Sequence, residues 1–472
     1  MRAWEYAKEL IQKSKPRVLS EEEQTWNMME VFEIREDERL KMLWYSRVPG
    51  SGAEERLVIG AVQSMYNRGM DVSKAEKLIP VGIKAFENND MVELNKITCN
   101  IFHELYKAKK NMNSEYWKFK EYNSWEEYKN SVKFMPSYSY NVFSDDYKAK
   151  IAGGWIAQIC GGAMGTALEG YTTDNLREVF GEIRGYVRKP NTFNDDITYE
   201  LAFLKAFEKK GYNVTSEDIA MEWVALIPFG WSAEDVALRN LKQGIFPPES
   251  GYFNNPYCEW IGAQMRGAIC GMVAPGNPEE AARLAWMDGI ISHYNNGVIG
   301  EIFNAIMVSL SFVENDVRKI IKNSIDMIPN DSEYYSVVKY ALDMCLNSDG
   351  WEKAWKYCEK KLERYNWVHA YPNAAAEVIA LWFGEGDFDE TMHIIAMEGQ
   401  DVDCNAAQIG TIIGIIKGKE GIGDKWISPI GDELTTYVRG MKHMKISDLI
   451  EWTIQCVTLA NKNKRFKSYN QI

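Results

Sequence analysis

Apolar residues recur every three to four positions through most of this chain, the spacing that gathers them on one face of an α-helix. In the first part of the chain this spacing predicts helices over 54–69, 73–88 and 92–110. Capping-box patterns at Ser20–Glu23 and Ser73–Glu76 indicate helix starts. Strict alternation of apolar and polar residues, which would indicate strands, is not sustained over several strands. We therefore predict that residues 1 to about 120 are all-α.

The remainder of the chain also has mainly helical spacing. Residues 135–142, rich in Tyr, Ser and Asn, predict an irregular connection. Beyond it the spacing predicts helices over 196–210, 215–226, 233–241, 278–290, 298–313, 315–323, 333–346, 350–363, 371–383, 388–398, 404–417 and 446–461. We find no fixed repeat period. The sequence therefore predicts an all-α protein.

A run of small residues from Ile151 to Gly170 interrupts this helical spacing of apolar residues. Glycines such as Gly161, Gly162 and Gly165 cost a helix roughly 1 kcal/mol each relative to Ala, so they need a reason. Either helices pack closely along this run, or its backbone cradles a phosphate. The run lacks the glycine spacing of the common phosphate-binding loops, and we favour close helix packing.

Composition narrows the class of protein. The net charge of −13 argues against nonspecific binding of DNA or RNA, which needs a basic surface. No stretch approaches the roughly 18 apolar residues of a membrane span, and the first residues do not form the apolar run of a secretory signal. The eight cysteines are too sparse for a disulfide framework, so we expect them to be reduced. We expect a cytoplasmic protein.

Two oxygen-rich clusters carry the candidate chemistry. Asp401 and Asp403 sit two residues apart just before a small, apolar run, and Asn194, Asp195 and Asp196 precede another apolar helix. Neighbouring carboxylates repel one another, most strongly when buried, and a cation between them removes the repulsion. All-oxygen ligand sets favour hard cations such as Mg²⁺, Mn²⁺ or Ca²⁺, and two facing sets suit a two-metal centre. Alternatively, Asn194 acts only as a helix cap.

Three segments resemble the motifs of the ADP-ribosylglycohydrolases, a family of all-α hydrolases related to the dinitrogenase reductase-activating glycohydrolase. Residues 161–170 are similar to its G-D-x-x-G-x-x-x-E, Asn194-Asp195-Asp196 to its T-D-D, and residues 399–404 to its G-x-D-x-D-T. The resemblance covers about residues 145–440. It implies a compact helical bundle with a central dinuclear Mg²⁺ or Mn²⁺ site in a catalytic domain, residues 145–465. Residues 1–140 would form an N-terminal helical extension of unknown role.

The resemblance also implies roles for individual residues. The metal ligands would be Asn194, Asp195, Asp196, Asp401 and Asp403. The catalytic residues would be Glu169, Asp196 and Asp403. The substrate-binding residues would be Gln264, Arg266, His293 and Gln400. Three of these residues have structural alternatives: Glu169 as a solvated helix end, His293 as a structural or surface residue and Arg266 as a salt-bridge partner.

The implied activity is cleavage of the glycosidic bond at the anomeric carbon of an ADP-ribosyl or related ribosyl substrate, either a small molecule or linked to a protein. Three departures from the family pattern bear on this expectation. Gly162 stands where the family has Asp, Asn194 replaces Thr, and Cys404 replaces Thr. A thiol is a poor ligand for Mg²⁺, although Cys404 could instead be a small core residue. The alternative function is therefore a non-catalytic or altered-specificity module that binds ADP-ribose or a related nucleotide.

Overall fold

The computed structural model describes the backbone of residues 1–469 and the side chains of residues 1–462. The first six helices are α1 (Ala3–Lys13), α2 (Met28–Trp44), α3 (Leu57–Asn67), α4 (Ser73–Glu87), α5 (Met91–Tyr106) and α6 (Trp125–Ser131). The next nine are α7 (Asp145–Gly165), α8 (Thr173–Phe180), α9 (Asp196–Lys210), α10 (Ser216–Leu226), α11 (Ser232–Lys242), α12 (Glu249–Tyr252), α13 (Gly267–Val273), α14 (Pro278–Gly289) and α15 (Asn296–Ser311). The last eight are α16 (Val317–Ile325), α17 (Glu333–Leu346), α18 (Trp351–Leu362), α19 (Ala370–Gly384), α20 (Phe388–Glu398), α21 (Val402–Lys417), α22 (Asp424–Ile427) and α23 (Ile446–Tyr469).

Strands are few and short. In the described part of the chain they form three antiparallel pairs: β1 (Ser46–Arg47) with β2 (Glu54–Glu55), β3 (Tyr171–Thr172) with β4 (Gly399–Gln400), and β5 (Glu433–Thr435) with β6 (His443–Lys445). The predicted all-α class is confirmed. Each helix that the apolar spacing predicted is present and begins within three residues of the predicted start. Among residues 1–469, no helix is both long and apolar enough to cross a membrane.

The two capping-box predictions fare differently. Ser20 and Glu23 exchange the expected hydrogen bonds, but they open only the short 3₁₀ turn Glu22–Gln24. At Ser73 the predicted helix start is confirmed, but the capping box is wrong, because Ser73 is already the first residue of α4 rather than its N-cap. Its backbone N–H donates to Asp71 Oδ1 at 3.1 Å, so the side chain that satisfies this helix start lies two residues earlier.

The glycine-rich run forms α7, which lies against α21 at the centre of the protein. A Cβ added at Gly161 would overlap the backbone carbonyl group of Ala406, so only a residue without a side chain permits this approach. The prediction of close helix packing is confirmed. This packing matters for function because α21 begins directly after Asp401, and α7 ends four residues before Glu169.

The N-terminal helices rest on the remainder of the chain through a second hydrophobic cluster. Buried residues of α3, α4 and α5 pack there with Ala233, Tyr257 and Trp260. Polar contacts cross the same boundary: Ser64 Oγ donates to the Pro256 carbonyl at 2.7 Å, and the buried Tyr116 hydroxyl donates to Glu259 Oε1 at 2.9 Å. The division at residues 140–145 stays a prediction, but the two parts share buried contacts.

Candidate metal centre

The turn into α21 places two carboxylates inside the protein. Gln400 has a φ of 68°, which is uncommon for a residue with a side chain, and its strand pairs with Tyr171. Asp401 then follows, with its backbone N–H donated to Asn373 Oδ1 at 3.0 Å. Asp401 and Asp403 are 5% and 3% exposed. A buried amide therefore fixes the backbone from which both carboxylates project.

Asp401, Asp403 and Cys404 form a compact group at the start of α21. One ligand atom of each, two carboxylate oxygens and the thiol sulfur, lie within 4.8 Å of one another. All three side chains are buried. The Cys404 sulfur also contacts the Met265 sulfur at 3.8 Å. Cys404 is therefore part of the oxygen-rich group as well as of the core.

The second acidic segment lies at the start of α9. The residue at the N-cap position is Asp195, and its side chain makes no capping hydrogen bond. Asn194 Nδ2 instead donates to Asp196 Oδ2 at 3.2 Å. The interpretation of Asn194 as a simple helix cap is therefore wrong. Asp196 is fully buried, and its Oδ2 accepts this hydrogen bond from the Asn194 amide.

Several oxygens in these two segments are buried without a hydrogen-bond partner. They are Asn194 Oδ1, Asp196 Oδ1, Asp401 Oδ1 and Asp403 Oδ1. Unpaired buried oxygens cost free energy, and carboxylate oxygens cost the most. A hard divalent cation bound between these oxygens would satisfy them, so the donor set fits Mg²⁺ or Mn²⁺.

The electrostatics of the segments show how close the carboxylates are. Burial, followed by the charge of Asp403, raises the pKa of Asp196 and of Asp401 well above the usual range of a carboxyl. Burial and the charge of Asp195 raise the pKa of Asp403 to about 6. Burial also raises the pKa of Asp195. The two segments, far apart in sequence, therefore form one acidic cluster.

Glu169 belongs to the same cluster. It follows α7 and is half-buried. Burial raises its pKa, and the charges of Asp403 and Asp401 are the next largest causes. The structure therefore does not support the alternative interpretation of Glu169 as a solvated helix end. We define the acidic cluster as Glu169, Asp195, Asp196, Asp401 and Asp403.

The sequence and fold of this chain are similar to those of known proteins. The family model of the ADP-ribosylglycohydrolases matches residues 144–456, about two thirds of the chain. The chain belongs to the ADP-ribosylglycohydrolase family. A solved structure described as an ADP-ribosylglycohydrolase-related protein complex aligns with a TM-score of 0.50 and 16% identity, over 67% of this chain and 100% of that one, which supports the fold. An uncharacterized protein of Archaeoglobus fulgidus is 23% identical over 311 residues, covering 61% of this chain and 95% of that protein. Residues 1–143 lie outside the match to the family.

Arg266, one of the predicted substrate-binding residues, is a buried salt-bridge partner. Its side chain is 1% exposed and contacts the carboxylates of Asp288 and Glu234. Glu301 Oε2 lies 3.9 Å from Arg266 Nε. The guanidinium also stacks over the Trp223 ring at 4.8 Å. The structure therefore places Arg266 in the structural role that the sequence left open.

His293 lies beside this network. Its Nδ1 is 2.7 Å from Ser292 Oγ, and its buried Nε2 lies 3.9 Å from Glu234 Oε1 without a hydrogen bond. Burial and the charge of Arg266 lower the pKa of His293 well below its usual value. Both effects favour the neutral form of the imidazole. Glu234, whose pKa burial raises to about 7, also senses the charge of Asp195, so this network borders the acidic cluster.

The other two predicted substrate residues, Gln264 and Gln400, differ in their surroundings. Gln264 is fully buried, and its Oε1 accepts the Tyr334 hydroxyl at 2.9 Å. Gln400 is half-buried and lines an open groove of about 830 Å³ together with residues of α18. Gln264 thus lies within the core, whereas Gln400 faces a space that a ligand could enter.

One group beside the cluster was missed by the sequence analysis. The rings of Phe193 and Phe229 flank Tyr437, with ring centroids 5.5 Å and 4.7 Å away, and Phe229 is stacked on Tyr437. Burial, then the charge of Asp195, raises the pKa of Tyr437, so this ring lies near the acidic cluster. Phe193 and Phe229 are 48% and 58% exposed. No local motif marks these three residues, because they come from three separate loops.

Proposed function

We propose that this protein is a metal-dependent hydrolase that cleaves the glycosidic bond at the anomeric carbon of an ADP-ribosyl or related ribosyl substrate. The observation that carries the proposal is the acidic cluster itself. Its five carboxylates converge from three segments, and three of the buried aspartates each have an oxygen without a partner. Burying so many unpaired carboxylate oxygens costs free energy, and a bound cation would remove that cost.

The side chains that would hold Mg²⁺ or Mn²⁺ are those of Asn194, Asp195, Asp196, Asp401 and Asp403. When bound, such ions supply electrostatic stabilisation and lower the pKa of water. The Cys404 sulfur is a soft ligand and the poorest donor of the group, so we assign it to the edge of the site.

The remaining roles fall to residues around the cluster. Cleavage at the anomeric carbon builds positive charge on the ribose ring, which neighbouring carboxylates stabilise. Asp196 and Asp403 lie deepest and would face that charge. Glu169, which is half-buried, would position the attacking water or transfer its proton. The exposed rings of Phe193 and Phe229 offer apolar surfaces on which a nucleobase could stack.

The experiment is calorimetric titration of ADP-ribose into the purified protein with Mg²⁺ and then with EDTA, paired with an assay for ADP-ribose release from conjugates of different leaving groups. We expect binding and release to require the metal and to be lost in Asp401→Ala. The matched control is Asp424→Ala, which removes an exposed aspartate. Release that persists in EDTA, or in Asp401→Ala, would contradict the proposal.

A second candidate is a module that binds ADP-ribose or a related nucleotide without cleaving it. Cys404 favours it, because its thiol stands within the ligand group. This candidate predicts metal-dependent binding of ADP-ribose with no release from any conjugate. The same two assays therefore separate it from the hydrolase.

A further inference from the structure

A hairpin from the N-terminal part of the chain lies directly beside Glu169. Strands β1 and β2 form this hairpin, and we call residues 48–53 its turn. The turn reaches the segment that follows α7: Tyr171 donates its hydroxyl to the Ser51 carbonyl at 3.1 Å, and Arg188 Nη1 donates to the Gly50 carbonyl at 2.6 Å. Residues outside the family match therefore contribute to the surroundings of the acidic cluster.

At Gly50 the turn closely approaches the segment 166–170. A Cβ added at Gly50 would overlap the Thr166 carbonyl oxygen and would lie 3.1 Å from Glu169 Oε1. A Cβ added at Gly170 would lie 2.5 Å from the Ala53 Cβ. The turn thus packs against both ends of the segment 166–170, and Glu169 Oε1 lies close to Gly50.

The hairpin is held in place on both sides. Arg188 Nη2 also reaches the Thr166 carbonyl at 3.4 Å, so one guanidinium joins the turn to the end of α7. On the other side, the Trp231 indole N–H donates to Glu55 Oε2 at 2.6 Å, and the Glu55 side chain is 7% exposed. Beyond the hairpin, the Tyr257 hydroxyl donates to the Leu57 carbonyl at 3.0 Å. These hydrogen bonds hold the turn in a fixed position beside the segment 166–170.

We propose that the hairpin turn sets the size of the leaving group and restricts the enzyme to small ADP-ribosyl or ribosyl conjugates. The inference rests on the proposed function, in which Glu169 positions the attacking water or transfers its proton, and it adds that the leaving group departs beside Glu169. The turn occupies the space immediately outside Glu169. We expect room for a small amine or alcohol beside Gly50 and Gly52, which have no side chains, whereas a polypeptide attached through its side chain would need the volume that the turn fills. ADP-ribosylated protein is therefore excluded.

The first test compares two matched substrates, an ADP-ribosyl conjugate of a free amino acid and the same conjugate within a polypeptide. We expect wild type to have a kcat/KM at least tenfold higher for the free conjugate. Arg188→Ala, which releases the turn, and Gly50→Ala, which forces it away from Thr166, should both narrow that ratio. Lys189→Ala is the control at a neighbouring exposed position and should leave the ratio unchanged. Equal rates on both substrates in wild type would overturn the proposal.

The second test does not depend on activity. Glu169→Cys is made in a Cys99→Ser background, because Cys99 is the exposed cysteine and the other seven are buried. Removing Glu169 takes a charge out of a repulsive cluster, so the variant should fold, as thermal unfolding can verify. We expect rapid labelling by a small methanethiosulfonate, slow labelling by a polyethylene-glycol maleimide, and faster maleimide labelling after Arg188→Ala but not after Lys189→Ala. Equally fast labelling by both reagents, or no labelling by the small one, would contradict the proposal that the turn restricts access to position 169.

The two tests separate the failures. If no conjugate is hydrolysed by any variant, the proposed function fails, and the labelling result alone decides whether the turn restricts access to position 169. If conjugates are hydrolysed without regard to size, the proposed function stands and the inference about the turn fails.

Discussion

The side-chain amide of Asn194 occupies the space that a side chain at position 162 would fill. A Cβ added at Gly162 would lie 2.7 Å from Asn194 Nδ2 and 3.7 Å from Asp196 Oδ2. These are two of the three positions at which the sequence departs from the family motifs it resembles, where Asp and Thr stand instead. The departures are therefore one paired exchange, in which a larger residue at 194 fits because the residue at 162 has no side chain.

This pairing predicts strong coupling between positions 162 and 194. Gly162→Asp alone forces a side chain into the Asn194 amide and adds a charge to the cluster, so it should lower the midpoint of thermal unfolding. Asn194→Thr alone should be milder, since it only empties space. The double variant should recover much of the loss, with a coupling free energy of about 0.5–3 kcal/mol. Additive effects in the four-variant cycle would show that the two positions are independent.

The acidic cluster predicts opposite effects of one substitution with and without metal. Asp401→Asn removes one of the repelling charges while keeping an oxygen, so it should raise the unfolding temperature in EDTA. With Mn²⁺ in excess the order should reverse, because wild type gains about 2.7 kcal/mol at roughly a hundred times its Kd and the variant gains less. Thermal unfolding in both conditions measures this. Asp424→Asn, on the surface, serves as the control, and equal metal responses in Asp401→Asn and wild type would rule out Asp401 as a ligand.

Cys404 allows a test of metal preference. Its sulfur lies within the ligand group, and replacing it with Thr supplies a hard oxygen in its place. If the side chain at 404 reaches the ion, Cys404→Thr should raise the affinity for Mg²⁺ several-fold, whereas Cys404→Ala should not. Calorimetric titration of Mg²⁺ into the three proteins gives the answer. Affinities that are the same in all three would place the residue outside the coordination sphere.

Local patterns in the sequence predicted most of the helices and their close packing. They did not predict features that depend on contacts between residues distant in the sequence. The spacing of apolar residues predicted most long helices, and the glycines of α7 indicated close packing, because both signals are carried by adjacent residues. Arg266 could not be assigned in this way, since Glu234, Asp288 and Glu301 come from three other helices. The hairpin at residues 46–55 was missed because its strands are two residues long, too short to show alternation, and the predicted helix 54–69 ran into it.

Glu398, at the end of α20, predicts a pH dependence of stability. Its side chain is fully buried, both carboxylate oxygens lack a partner, and burial raises its pKa well above the usual value. The folded protein therefore binds this proton more tightly than the unfolded chain does. The resulting stability is fully present below the ordinary pKa of a glutamate and is lost as the pH rises toward the raised value.

Glu398→Gln removes that titration and should flatten the fall in stability with rising pH. We expect the free energy of unfolding of the variant, relative to wild type, to increase from about pH 4 to about pH 8. Urea unfolding at several pH values, in EDTA so that metal binding does not contribute, measures the difference. Glu178→Gln, at an exposed position, is the control. A difference that stays constant with pH would contradict a raised pKa of the buried Glu398.

Because Arg266 pairs with buried carboxylates, we expect its replacement to cause a large loss of stability rather than a loss of ligand affinity alone. Arg266→Met would leave the buried carboxylates of Asp288, Glu234 and Glu301 without their cation, which typically costs about 3–5 kcal/mol. Arg239→Met removes an exposed partner of Asp235 and should cost no more than about 1 kcal/mol. Urea unfolding of both variants, followed by ADP-ribose titration of whatever remains folded, separates the two roles. A variant at 266 that unfolds like wild type but binds ADP-ribose much more weakly would instead show that this guanidinium contacts the ligand.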